Sequence, residues 1–172
     1  MISFLSYSKM KSEQQLYKNA ATEVCSRLTD DDLSFELIGK YEEFLALINN
    51  IPSYDISIFD LENDNVINAA QKARSLNKTM FIMIIADNTV SPMKYITPSI
   101  MASALLLKPF SIKMLSDVMN NLIAEYMKKY SSENSEKVLI IENKGERQII
   151  PYPNILNIFE SLEKNEIDEA IV

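Results

Sequence analysis

The stretch Tyr54-Asp55-Ile56-Ser57-Ile58-Phe59-Asp60-Leu61-Glu62-Asn63 decides how this chain is read. Ile56, Ile58 and Leu61 are apolar and the first two are β-branched, which suits a buried central strand. Asp60 stands where such a strand runs out. In an open parallel sheet that is the carboxyl edge, where loops form a crevice and ligands bind. An acidic residue there is either a functional carboxylate or a solvated strand end or helix cap. A second stretch, Leu105-Leu106-Leu107-Lys108-Pro109-Phe110, has the same form: an apolar strand ending in a charged group.

Working outward, Met1 to Leu5 is a short apolar run, and Ser6 to Ser12 is polar and loop-like. The first helix is expected from Ser12, with Gln15 as a capping-box partner and Leu16, Ala20, Val24 and Leu28 as its apolar stripe. Leu33 to Ile38 reads as a strand ended by Gly39. Tyr41 to Ile51 reads as a helix stopped by Pro52. After the Asp60 strand, Asn65 to Leu76 is helical, and Met80 to Ala86 is an apolar strand of the kind buried on both faces, with Met80 and Met83 as core filler. A loop containing Pro92 and a short helix near Ser99 to Ser103 lead into the Leu105 strand. Ser111 to Lys129 is the last helix. Strands alternating with helices predict an α/β fold, a five-stranded parallel doubly wound sheet in the flavodoxin-like order 2-1-3-4-5. Residues 131–136 are small and polar and read as a linker. A short β-rich segment follows, with strands over Val138 to Ile141 and Arg147 to Ile150 around Asn143-Lys144-Gly145, a hairpin signal. Pro151 and Pro153 then break the chain before Ile155 to Phe159.

Composition narrows the chemistry. The 172 residues include no histidine, which removes Ser-His and Cys-His catalysis and most zinc sites. The two glycines, Gly39 and Gly145, cannot build a phosphate-cradling Gly-rich loop. The lone Cys25 rules out an internal disulfide and is expected to pack in its helix. A net charge of −7 without a basic stripe makes a poor nucleic-acid binder. No apolar run approaches the ~20 residues of a membrane span, and no secretory signal is evident, so a cytoplasmic location and no membrane partner are expected.

With these pieces in order, residues 1–130 resemble a response-regulator receiver domain. The match is carried by the Tyr54-Asp55-Ile56 to Asp60 strand, the buried fourth strand, and Leu106-Leu107-Lys108-Pro109-Phe110 before a final helix. Residues 137–172 resemble the opening of a LytTR-type DNA-binding domain, through Lys144-Gly145 to Ile150 and then Pro153-Asn154-Ile155-Leu156. The receiver resemblance implies a phosphoryl acceptor at Asp60, with Lys108 pairing the phosphoryl oxygens. It also implies Mg²⁺ held by two acidic residues after the first strand, and a Thr or Ser reader at the end of the fourth.

The chain departs from that pattern. Ser6 and Tyr7, followed by Ser8, stand at the acidic-pair position, Ala86 at the hydroxyl position and Leu105 at the aromatic switch position. Glu62-Asn63-Asp64-Asn65 replaces the family's loop after the acceptor. One carboxylate is a poor Mg²⁺ site. The resemblance therefore implies a pseudo-receiver without metal or cofactor: a non-catalytic, phosphorylation-independent regulatory module tied to transcription through a LytTR-type effector. Asp60 and Lys108 become a vestigial surface pair worth ~0.2–1 kcal/mol, and Ala86 and Leu105 pack and hold one conformation. A homodimer is expected, with DNA as the effector's partner in a full-length protein but not of this fragment. Two other readings stay open: a phosphorylatable switch using Asp60, and an anion- or small-molecule-binding module using the Ser6-Lys9 loop.

Overall fold

The computed structural model describes residues 1–134, 138–143 and 146–151, with side-chain surroundings over 1–130. Strands β1 (Ile2–Tyr7), β2 (Leu33–Ile38), β3 (Ile56–Leu61), β4 (Phe81–Asp87) and β5 (Ala104–Lys108) form one parallel sheet in the order β2-β1-β3-β4-β5. This is the α/β doubly wound sheet expected. Side chains alternate between its two faces, as strand geometry requires. Leu5, Tyr7, Phe59, Leu61, Ile82 and Ile84 face helices α2 (Tyr41–Ala46) and α3 (Asp64–Leu76). Ile2, Phe4, Ile56, Ile58, Met83, Ile85 and Leu106 face α1 (Lys11–Leu28) and α4 (Ile112–Asn134). The central strand β3 is buried along its whole length.

Several local expectations give way to tertiary structure. Helix α1 begins at Lys11 with Met10 as its uncapped N-cap, so the Ser12–Gln15 capping box does not form; Gln15 instead bonds Asn19. Of the expected stripe Val24 is buried and Leu16 and Ala20 pack partly against the core, but the fully buried positions include Tyr17, Ala21 and Cys25, and Leu28 is exposed. Helix α2 is short, and Pro52 lies within a 3-10 turn, Ile48–Ser53, rather than stopping an α-helix. Helix α3 starts where the Asn63 side chain accepts hydrogen bonds from the backbone of Asn65 and Val66.

The largest departure lies between β4 and β5. No helix forms near Ser99 to Ser103, and the only helical turn described there is the 3-10 segment Pro92–Lys94. The face of β5 that such a helix would cover stays open, so Leu105 and Leu107 are 37% and 39% exposed. Leu105 is therefore not the fully packed group expected of it. Helix α4 runs on to Asn134, through the first residues of the expected linker. Beyond it, β6 (Val138–Asn143) and β7 (Glu146–Pro151) pair antiparallel, as the hairpin signal suggests. Lys144, Gly145 and the segment after Pro151 lie outside the described residues. Among the described residues no helix is long and apolar enough to cross a membrane.

Arg74 holds the irregular β4–β5 connection down. The side chain is buried, and its guanidinium donates to the carbonyls of Ile100 (2.7 Å), Met101 (3.0 Å), Lys78 (3.1 Å) and Asn77 (3.2 Å). Burial lowers its pKa, and carbonyl dipoles rather than a carboxylate compensate the charge. One of those carbonyls belongs to Met101, whose φ of 51° lies in the left-handed region. Arg74→Met should therefore cost ~2–4 kcal/mol, because it strips several buried carbonyls of donors at once. It should also speed amide exchange across residues 97–103 while sparing β1 and β3. Urea unfolding with a loss below ~1 kcal/mol would remove Arg74 from this role.

Candidate functional site

The site follows from register and parity. Tyr7 pairs with Phe59, so Ser8, the next residue, stands level with Asp60. Asp60 shares its face with Ile56 and Ile58, which is the α1 side of the sheet. Lys108 shares parity with Leu106 on β5 and reaches the same face. The Lys108–Pro109 peptide bond is cis.

Asp60 lies at the bottom of the crevice, 1% exposed. Its Oδ2 is 2.9 Å from Lys108 Nζ, accepts a 2.8 Å hydrogen bond from the Tyr17 hydroxyl, and lies 3.4 Å from Ser8 Oγ. Glu13, from the first turns of α1, pairs with the same Lys108 at 3.1 Å and accepts from Ser8 at 3.1 Å. Glu62 completes a group of three carboxylates whose oxygens come within 4.8 Å of one another. One ammonium thus serves two carboxylates directly, with a third alongside.

The electrostatics follow from that imbalance. Burial, then the hydrogen bond with Glu13, pushes the Asp60 carboxyl up to about 6, although Lys108 and Tyr17 pull the other way. Glu13 moves oppositely. Burial works against its charged form, but hydrogen bonds with Asp60, Lys108 and Ser8 prevail and hold it below its ordinary value. Burial and the neighbouring Glu13 raise Glu62. Between Asp60 and Glu13, a proton therefore goes to Asp60, the carboxyl with less water. Tyr17 is held far above its ordinary value by burial and by Asp60, so it remains a donor. Lys108 is raised: burial opposes its charge, and its bonds with Asp60 and Glu13 outweigh that.

Asp60 and Lys108 come together as expected, but the pair is buried on the aspartate side and does not behave as a surface pair. The two positions read as the degenerate acidic pair do not meet at Asp60. Ser6 points to the right face one step too early, and its buried hydroxyl has no partner among the described residues. Tyr7 points to the opposite face, among Phe44 and Phe59. The first strand's contribution to the site is Ser8. Ala86 is fully buried against Leu61 and Leu107, and Asp87 ends β4 in solvent with its carboxylate on Thr89. Glu13 and Tyr17 were missed by sequence reasoning. They sit one helical turn apart on the face that buries Tyr17, Ala21 and Val24; reading that stripe one residue later would have found them.

Glu13, Asp60 and Glu62 have the oxygen chemistry a hard cation prefers. Such an ion would compete for Asp60 and Glu13 with the Lys108 ammonium already between them.

No protein-family model and no curated protein matches this sequence. Solved structures do match. A pilus assembly-related protein from Burkholderia pseudomallei is 14% identical, covering 73% of this chain and 91% of its own, with a TM-score of 0.55. A response regulator from Thermotoga maritima is 16% identical over 72% of this chain and 98% of its own, with a TM-score of 0.53. The chemotaxis response regulator CheY4 of Vibrio cholerae is 19% identical over 71% and 98%, with a TM-score of 0.55. At identities of 14–19% the likeness is one of fold, and the fold is the flavodoxin-like one of response-regulator receivers.

Proposed function

We propose that this chain is a signalling module of the pseudo-receiver kind, which works without phosphorylation of Asp60. The observation that carries this reading is the state of the Asp60 carboxylate: 1% exposed, and engaged at Oδ2 by Lys108 and Tyr17. A phosphoryl acceptor must present an oxygen in line with the incoming phosphorus and have a cation to neutralise the transferred charge. Here Tyr17 donates to Oδ2 of the acceptor, and Lys108 is shared between Asp60 and Glu13. No carboxylate from β1 joins them to complete a Mg²⁺ site. The module is non-catalytic and passes on its signal by assembly, as a homodimer, to a LytTR-type transcriptional effector whose opening is residues 137–172. DNA is the partner of that effector rather than of this acidic chain, and a cytoplasmic location goes with such a role.

Incubation with acetyl phosphate and Mg²⁺ should leave the intact mass unchanged. A stable adduct of one phosphoryl group, lost in Asp60→Asn, would overturn the reading in favour of a working switch. Asp60→Asn should also leave the sedimentation profile as it is, since a locked site carries no signal to the assembly surface; a several-fold change in the dimer-to-monomer ratio would contradict the lock.

The buried carboxyl also sets a pH signature. The folded state keeps a proton on Asp60 up to about pH 6, whereas the unfolded chain loses it near 3.8. Between those values Asp60 makes folding less favourable as pH rises, by at most ~3 kcal/mol. Glu13, held low, acts in the opposite sense: its contribution is present above its ordinary value and is lost as pH falls. Asp60→Asn removes the larger, buried member. The variant should therefore gain stability relative to the parent between about pH 4 and pH 7. Thermal unfolding across that range checks it, and a difference that is flat or declines with pH would mean that Asp60 ionises normally.

A further inference from the structure

A second crevice opens at the same edge of the sheet, on the opposite face from Asp60. It encloses about 570 Å³ between the exits of β1, β2 and β3, within the ~300–1,000 Å³ range of small-molecule sites. It also lies where strand order reverses, β1 being flanked by β2 and β3, the position at which open α/β sheets bind ligands. We propose that this crevice binds a nucleoside monophosphate or a closely similar organic phosphate.

Tyr7 is the first reason. The residue is 3% exposed, its ring fixed between Phe44 and Phe59, and it forms part of the cavity wall. Among the described residues its hydroxyl makes no hydrogen bond, yet it is not one of the sealed, unpartnered groups of the core. The charges of the wall residues Glu42, Glu43 and Glu62 act on it, after burial itself, to keep it protonated. A buried hydroxyl at a cavity wall with its donor unused is poised for a bound group.

The second reason is how charge is divided around the cavity. Lys9 and Lys40 belong to the loops leaving β1 and β2 and Lys11 opens α1, whereas Glu42 and Glu43 lie on α2 and Glu62 follows β3. Among the described residues none of the six forms an ion pair. Lys9 and Lys11 stand at the start of α1, an 18-residue helix whose N-cap Met10 makes no side-chain hydrogen bond and whose first turn carries Glu13, and its first backbone N–H groups add to the attraction for an anion. A ligand matched to both kinds of wall has an anionic head and hydrogen-bond donors on its tail. A phosphate monoester on a ribose has both: phosphate oxygens for the lysines, and ribose hydroxyls or a base amine for the glutamates. Inorganic phosphate meets only the first requirement. The part-exposed ring of Tyr41, stacked on Phe44 along one side, offers a flat surface to a base. Glu62 belongs both to this wall and to the carboxylate group around Asp60; Tyr7 and Asp60 project from opposite faces of the sheet, so Tyr7→Phe and Lys40→Ala probe this crevice without altering the contacts of Asp60.

The test is calorimetric or NMR titration of the whole chain with AMP, GMP, CMP and UMP, with inorganic phosphate and adenosine as controls. At least one monophosphate should saturate with Kd on the order of 0.1 mM, shifting amides over residues 9–14 and 39–42. Tyr7→Phe, which keeps the ring in the core, should weaken binding roughly three- to tenfold. Lys40→Ala, at an exposed position, should weaken it roughly tenfold or more. The proposal is overturned if no monophosphate saturates, if inorganic phosphate binds as tightly as the best of them, or if both variants bind like the parent.

Discussion

A carboxylate removed from water has to be neutralised by whatever surrounds it, and the carboxyl edge of this sheet is arranged around doing so for Asp60. Lys108 comes from the last strand, Tyr17 from the first helix, and Ser8 from the first strand's exit. None can be moved without disturbing the others. Glu13 complicates the arrangement, since it draws on the same ammonium and leaves the cluster with an excess of negative charge. Burial and like charge settle the matter in the usual way, by raising the pKa of the member with least water. The result is a polar centre that is satisfied hydrogen bond by hydrogen bond, yet still electrostatically strained at neutral pH.

Much of the fold could be read from the chain because the sheet is nearly all apolar. Strands such as Phe81–Asp87 declare themselves by composition, and the alternation of strand and helix then leaves few topologies. What went wrong was local. Ser12 and Gln15 have capping-box spacing, but the chain leaving β1 reaches helical geometry two residues sooner, and Met10 takes the cap. Pro52 reads as a terminator because it cannot sit in the middle of an α-helix, yet a 3-10 turn accommodates it. Between β4 and β5, the apolar residues Tyr95 and Ile100 serve the core without a helix around them.

The site was half legible. Asp60 and Lys108 are named by strand ends alone. Which residue of Ser6, Tyr7 and Ser8 faces them is a question of register, and a one-residue error sends a side chain to the other face. That is what separates Ser8, at Asp60, from Tyr7, in the opposite crevice. Glu13 and Tyr17 are reached by reading the α1 stripe one residue later, but that they meet at Asp60 and Lys108 follows from the packing of α1 on the sheet.

The bond between Lys108 and Glu13 joins residues 95 positions apart, and that separation has a kinetic meaning. Closing so long a loop carries an entropic cost that nearby contacts must already have met. The hairpin-free parallel sheet offers no shortcut, since every neighbouring strand pair is joined through a crossover. The ionic centre is therefore complete only once β5 is paired with β4. A chain without β5 would hold Asp60 without its ammonium, so that loss of this strand and loss of the site are one event.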